Sequence, residues 1–121
     1  MKITRDWLCG LGVSASVLAC FEDDWPDGMA LTQANLVKSM RPGHMDWGDL
    51  VRRAAPDQWA ACAAAWKKAR QDWDAVVTGP ATAHAFGGRL DAGAIQALQQ
   101  ANVRRYRAEA DAVIQALDRS Q

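Results

Sequence analysis

At 121 residues with 50% hydrophobic content, the chain is long enough to form one domain with a core of its own. Lysine plus arginine and aspartate plus glutamate both total 14, so the net charge at pH 7 is zero and no chain-wide field of one sign attracts nucleic acid or membrane. The three cysteines form no CxxC motif and no cluster with histidine, which excludes a disulfide framework and favours buried thiols in a reducing cytoplasm.

The two halves of the chain differ in charge. Residues 1–50 carry four basic and seven acidic side chains, whereas residues 51–121 carry ten basic and seven acidic side chains. We therefore expect the halves either to attract each other or to present two faces of opposite sign.

Four short helices are predicted within residues 1–54, three of them preceded by a side chain that can cap a helix N-terminus. These capping residues are Thr4, Ser14 or Ser16, and Thr32, and the fourth helix is expected to run from about Asp46 to Ala54. Turn residues separate the helices, namely Gly10 and Gly12, the Trp25-Pro26-Asp27-Gly28 stretch and Arg41-Pro42-Gly43. The main apolar positions of the last three helices are Val17, Leu18, Phe21, Leu36, Val37, Met40, Trp47, Leu50 and Val51.

The first apolar stretch also has an alternative interpretation. Lys2 and Arg5 precede it, and Val17-Leu18-Ala19-Cys20 loosely resembles a lipoprotein processing site. Against that, Asp6 stands at its entrance, and glycines and serines interrupt a run that falls short of the roughly 20 apolar residues of a membrane span. We expect a cytoplasmic protein with no membrane partner.

The C-terminal half is predicted to form a hairpin of two long helices, 56–77 and 91–119. Pro56 suits a first helical turn, Thr78-Gly79-Pro80 ends the first helix, and Asp91 can cap the second. The predicted apolar face of the second helix consists of Ile95, Leu98, Val103, Tyr106, Ala110, Val113 and Leu117. No segment alternates as a strand does. The fold class expected is all-α, a single domain with short N-terminal helices packed on a C-terminal antiparallel two-helix hairpin.

Trp59, Trp66 and Trp73 recur every seven residues, which places three indoles on one face of the first hairpin helix. In one interpretation they form the hairpin core, packed on Val103, Tyr106, Ala110 and Val113 of the last helix. In the other, part of the stripe docks a partner or a second copy of the chain, because tryptophan is enriched at binding hot spots.

An acidic cluster surrounds a different tryptophan. We call Glu22, Asp23, Asp24, Trp25 and Asp27 the acidic tip. Its carboxylates can engage an Arg/Lys surface that normally holds phosphate, with charge raising the association rate and the ring adding affinity. The alternative is a solvated loop. The spacing lacks the alternating ligands and closing glutamate of an EF-hand, so no metal is expected.

Other signatures are weaker. The basic residues Lys67, Lys68, Arg70, Arg104, Arg105 and Arg107 are typical of solvated helix surfaces. Residues 32–40 and 46–54 can be arranged as a helix-turn-helix, but acidic residues near the start of its second helix would repel phosphate, so direct nucleic-acid binding is not expected. His44 and His84 stand alone, without a nucleophile motif, and Gly87-Gly88 lacks the lysine of a phosphate loop. We expect no enzyme and no cofactor.

The N-terminal residues carry a resemblance. Ile3-Thr4-Arg5-Asp6-Trp7-Leu8, a following glycine, a short helix ending at Phe21 and Pro26-Asp27-Gly28 resemble the opening of small proteins encoded by bacteriophages and prophages. The resemblance covers the first quarter of the chain. It implies an accessory protein similar to anti-CRISPR inhibitors, which act without catalysis by covering a functional surface of a host defence nucleoprotein complex. The alternatives are a self-associating assembly module and a helical DNA-binding regulator.

Overall fold

The computed structural model describes residues 1–40, 45–79 and 92–119. Within these ranges it contains six α-helices, one 3-10 turn and one pair of two-residue strands. The elements, in chain order, are β1 (Lys2–Ile3), α1 (Arg5–Gly10), α2 (Ala15–Asp24), β2 (Met29–Ala30), α3 (Gln33–Ser39), α4 (Trp47–Ala54), the 3-10 turn (Pro56–Gln58), α5 (Trp59–Val77) and α6 (Ala92–Arg119). The all-α prediction is confirmed.

Side-chain caps define the starts of three short helices, two of them at residues that the sequence predicts as caps, Thr4 and Thr32. The Thr4 hydroxyl accepts a hydrogen bond from the Trp7 amide at 3.2 Å. The Thr32 hydroxyl and the Asp46 carboxylate accept from the amides three residues later, at 3.3 and 3.1 Å. Each bond satisfies an N–H group that the helix itself leaves without a partner. Ser14 also occupies a cap position, at the start of α2, but makes no side-chain capping bond.

The strand pair was not predicted. β1 and β2 run antiparallel, with Lys2 opposite Ala30 and Ile3 opposite Met29. The turn before β2 brings them together, because Gly28 adopts a φ of +88° that most side chains disfavour. Two residues per strand are too few to produce a visible alternation in the sequence. Ile3 and Met29 are nevertheless fully buried, so the pair ties the N-terminus to the core.

α5 and α6 form the predicted antiparallel hairpin. Cys62 and Ala65 near the start of α5 face Ala112 and Ala116 near the end of α6 across one crevice. At the opposite end, Trp73 shares a crevice with residues of the first half of α6. The buried face of α6 contains five alanines, whose small side chains permit close helix packing. α3 and α4 pack on α6 as well, so the core lies between the short helices and the hairpin.

Two residues of the predicted α6 face are exposed. Ala110, Val113 and Leu117 are buried as expected, whereas Ile95 and Val103 are 42% and 45% exposed. The prediction for these two residues was wrong because helical spacing identifies a shared face but not how far neighbouring elements extend along it. Gln33 of α3 hydrogen-bonds Asp111, which places that neighbour beside the C-terminal half of α6.

A few predictions differ in detail or lie outside the described residues. Residues 56–58 form a 3-10 turn rather than the first turn of α5, so Pro56 still precedes the helix but does not belong to it. Arg41-Pro42-Gly43, Pro80 and Asp91 lie outside the described ranges, as do His44 and His84. Among the described helices, none is both long enough and apolar enough to cross a bilayer.

Candidate functional site

The acidic tip forms where α2 ends. Glu22, Asp23 and Asp24 are the last three residues of α2, and Trp25 is its C-cap. The Gly28 amide donates to the Trp25 carbonyl at 2.9 Å, which closes a turn that contains Asp27. All four carboxylates belong to exposed residues. The structure therefore brings the five predicted residues together at one surface.

The position of these carboxylates is electrostatically unfavourable for the helix. A helix C-terminus carries a partial negative charge, so each acidic side chain beside it costs about 0.3–1 kcal/mol. α2 has no basic residue in its last turn. One external contact offsets part of the cost, because Arg5 Nε lies 2.8 Å from Glu22 Oε1. Both side chains of this pair are about half exposed, so water screens the attraction.

Trp25 is less exposed to solvent than the four acidic residues around it. It is half-buried and packs against the hydrophobic core. Its ring shares a narrow crevice with Phe21 and with Trp47, whose indole N–H donates to the Ser39 hydroxyl at 2.9 Å. The core thus fixes the orientation of Trp25 and leaves part of the ring accessible beside the carboxylates. Within the described ranges, no group of three or more metal-binding side chains converges here or elsewhere.

The tryptophan stripe is part of the packing between α4, α5 and α6. The rings of Trp59 and Trp66 meet edge to face, with centroids 6.1 Å apart, and both lie against Gly48 of α4. The Trp66 indole N–H donates to the Glu109 carbonyl of α6 at 3.0 Å. Trp73 lies under the Arg105 guanidinium, 5.7 Å from its ring centroid. All three rings are half-buried. Packing in the core therefore accounts for only part of each ring, and the rest reaches the surface.

The outer sides of Trp59 and Trp66 line a groove between α4 and α5. We call this cavity of about 540 Å³ the α4–α5 groove. Three cations, Arg52, Lys67 and Arg70, surround it together with two carboxylates. The Arg52 guanidinium lies 4.4 Å from the centroid of the Trp59 ring, a cation–π distance. The complete lining is Asp46, Gly48, Arg52, Trp59, Ala63, Trp66, Lys67, Arg70, Gln71 and Asp74.

Sequence reasoning missed this groove because its two walls belong to different helices. α4 approaches α5 closely only because residue 48 is a glycine. A Cβ there would lie 3.1 Å from a Trp66 ring carbon and 3.3 Å from a Trp59 ring carbon, distances below ordinary van der Waals contact. The one available signal was Gly48 itself, a poor helix former inside a predicted helix.

A buried carboxylate between α5 and α6 is flanked by two arginines that are less buried. Glu109 is only 6% exposed, and the Nε atoms of Arg70 and Arg105 each lie 3.6 Å from its Oε1. Arg105 therefore differs from the solvated basic residue that the sequence predicts. Burial, and to a lesser extent the negative charge of Glu109, raise the pKa of the Cys62 thiol to about 11, so this cysteine stays protonated at neutral pH.

Most of the surface that a helix-turn-helix would use to contact DNA is buried in this protein. α3 and α4 exist, but Trp47, Leu50 and Val51 of α4 are buried. Arg53 donates to the Leu11 and Gly12 carbonyls and to Asp49, so it is engaged within the protein. A recognition helix needs an exposed face at its N-terminal end, and most of that end of α4 is used in packing.

Comparisons of the chain with protein-family models, with curated proteins and with solved structures found no match.

Proposed function

We propose that this protein is a non-catalytic binding module that docks its acidic tip onto a basic surface of a partner protein. The supporting observation is the set of four exposed carboxylates around the C-terminal end of α2. Their arrangement works against the stability of the helix. Violations of a local stability rule of this kind are typical of functional sites.

The chemistry of the tip defines the partner. Carboxylates form charge-assisted hydrogen bonds with lysine and arginine, and most strongly with arginine in paired geometry. Surfaces that hold nucleic-acid phosphates present these cations. A tip bearing four carboxylates, one of them paired with Arg5, competes for such a surface and repels nucleic acid itself. The half-buried ring of Trp25 adds apolar contact next to the charges.

A more specific proposal follows from the resemblance of the N-terminal residues. In this proposal the partner is a host defence nucleoprotein complex. The protein is a phage accessory protein that inhibits the complex by covering its basic surface, as anti-CRISPR inhibitors do. The protein then acts in the cytoplasm of the host bacterium and needs no cofactor.

Affinity capture tests the binding mode. Tagged protein is incubated with nuclease-treated host lysate, and three forms are compared: wild type, Asp23→Lys/Asp24→Lys, and Asp57→Lys/Asp118→Lys. The last form is a matched control, because it makes the same change in net charge at two exposed residues outside the tip. We expect the tip variant to bind the captured partner at least about tenfold more weakly, since it replaces two of the four attractive charges by repulsive ones and leaves the tip neutral. The control should bind like the wild type.

Equal capture by the wild type and the tip variant would contradict the proposal. Equal loss in both variants would contradict it too, because the effect would then depend on net charge rather than on the tip. Circular dichroism of each variant checks that the helix content is unchanged.

A further inference from the structure

The α4–α5 groove presents the chemistry that the acidic tip requires. Two indoles form its walls, and its three cations, Arg52, Lys67 and Arg70, outnumber its two carboxylates. Arg52 is already held over the Trp59 ring, so its donors are positioned before a ligand arrives. A carboxylate can bond to a guanidinium that remains stacked on a ring, because the donors lie in the guanidinium plane.

The groove cannot be filled by the acidic tip of its own chain in this structure. None of the five tip residues is among the groove's lining residues, and the four tip carboxylates remain exposed. Each chain therefore carries an acidic, tryptophan-bearing surface and a tryptophan-lined groove with an excess of cations, and the two share no lining residue.

We propose that the occupant of the α4–α5 groove is the acidic tip of a second copy of this chain. The charge pattern supports this occupant, since the half that contains the tip has an excess of acidic residues and the half that supplies most of the groove has an excess of basic ones. The net charge is zero at pH 7, so two copies experience no long-range repulsion.

Reciprocal exchange of tips completes the arrangement. Each chain has one tip and one groove, so a single contact leaves one of each unmatched. When both tips are exchanged between the same two chains, the contact is repeated by a two-fold axis and the dimer is closed. The dimer covers the surface that the proposed function assigns to a partner, so self-association and partner binding exclude each other.

Sedimentation velocity with charge-swapped variants tests this inference. The tip variant is Asp23→Lys/Asp24→Lys, and the groove variant is Arg52→Glu/Lys67→Glu. We expect the wild type to dimerise at low salt and to dissociate as salt is raised, because the contact is electrostatic. Each variant alone should self-associate at least about tenfold more weakly. An equimolar mixture of the two variants should form a heterodimer, because the new lysines of one tip then meet the new glutamates of the other chain's groove, and the unaltered tip meets the unaltered groove.

The matched control is Lys38→Glu/Lys68→Glu, which makes the same charge change as the groove variant at two exposed residues outside the groove. It should dimerise like the wild type. If a double variant fails to fold, as judged by circular dichroism, a single substitution replaces it: Asp23→Lys for the tip variant and Lys67→Glu for the groove variant.

A wild type that stays monomeric up to its solubility limit would overturn the inference, as would a mixture that does not associate. Neither result would affect capture of a different protein by the tip, so failure here is distinguishable from failure of the proposed function.

Discussion

Glu109 is a buried carboxylate that contacts arginines on both helices of the hairpin. Its carboxylate interacts with Arg70 of α5 and Arg105 of its own helix, and within the described residues its Oε1 makes no hydrogen bond. A buried carboxylate needs compensating charge, because its transfer from water costs several kcal/mol. The two arginines supply it from both helices. The Glu109 charge also affects Cys62. Burial is the larger cause of the raised pKa of the Cys62 thiol, and the charge of Glu109 is the smaller one.

This raised pKa predicts a pH dependence of stability. The unfolded thiol loses its proton near its ordinary pKa, whereas the folded thiol keeps it up to about pH 11. The unfolded state is therefore favoured as the pH rises through this window. Between pH 8 and pH 11, Cys62 should contribute a loss of roughly 2 kcal/mol in the free energy of unfolding.

Urea unfolding of the wild type and of Cys62→Ala across this pH range measures the effect. The wild type should lose more stability than the variant as the pH rises. Parallel profiles for the two proteins would show that the thiol does not titrate as the structure implies.

The contact between α4 and α5 depends on one glycine. Gly48 lies against both Trp59 and Trp66, and a methyl group there would lie 3.1 and 3.3 Å from their ring carbons. Gly48→Ala should therefore lower the free energy of unfolding by about 1–2 kcal/mol through overpacking, despite the better helix propensity of alanine.

Gly10→Ala is the matched control for this prediction. No heavy atom lies within 4 Å of a Cβ at that position, so the substitution should be neutral or stabilising by about 0.5 kcal/mol. Urea titration of both variants measures the difference. A Gly48→Ala protein as stable as the wild type would contradict the close α4–α5 packing.

Features that depend on neighbouring residues could be predicted from the sequence, whereas features that depend on packing between distant elements could not. Thr4 and Thr32 could be predicted as helix starts because a cap bonds to amides only three residues away. The acidic tip could also be predicted, since its members are nearly contiguous. The exposure of Val103, by contrast, depends on where other helices end. The α4–α5 groove depends likewise on how closely two helices pack, which no local pattern records.

At the scale of the whole molecule, the charge pattern separates into two surfaces. The acidic tip occupies the C-terminal end of α2, while Arg52, Lys67 and Arg70 lie along the α4–α5 groove. The net charge conceals this separation because the two halves cancel. Binding through either surface should therefore weaken as salt is raised, even though the protein is neutral overall.

Photocrosslinking from the acidic tip tests the central claim most directly. A photoreactive residue replaces Pro26, which is exposed between Trp25 and Asp27 and carries no charge that the proposal requires. The control carries the same group at Gln100, an exposed position on α6 that lies outside both the tip and the groove lining. We expect position 26 to give a covalent adduct with another protein in the host cell, mapped to a peptide rich in arginine or lysine, and position 100 to give none. Adducts of equal yield from both positions, or no protein adduct from position 26, would contradict the proposal that the acidic tip is the binding surface.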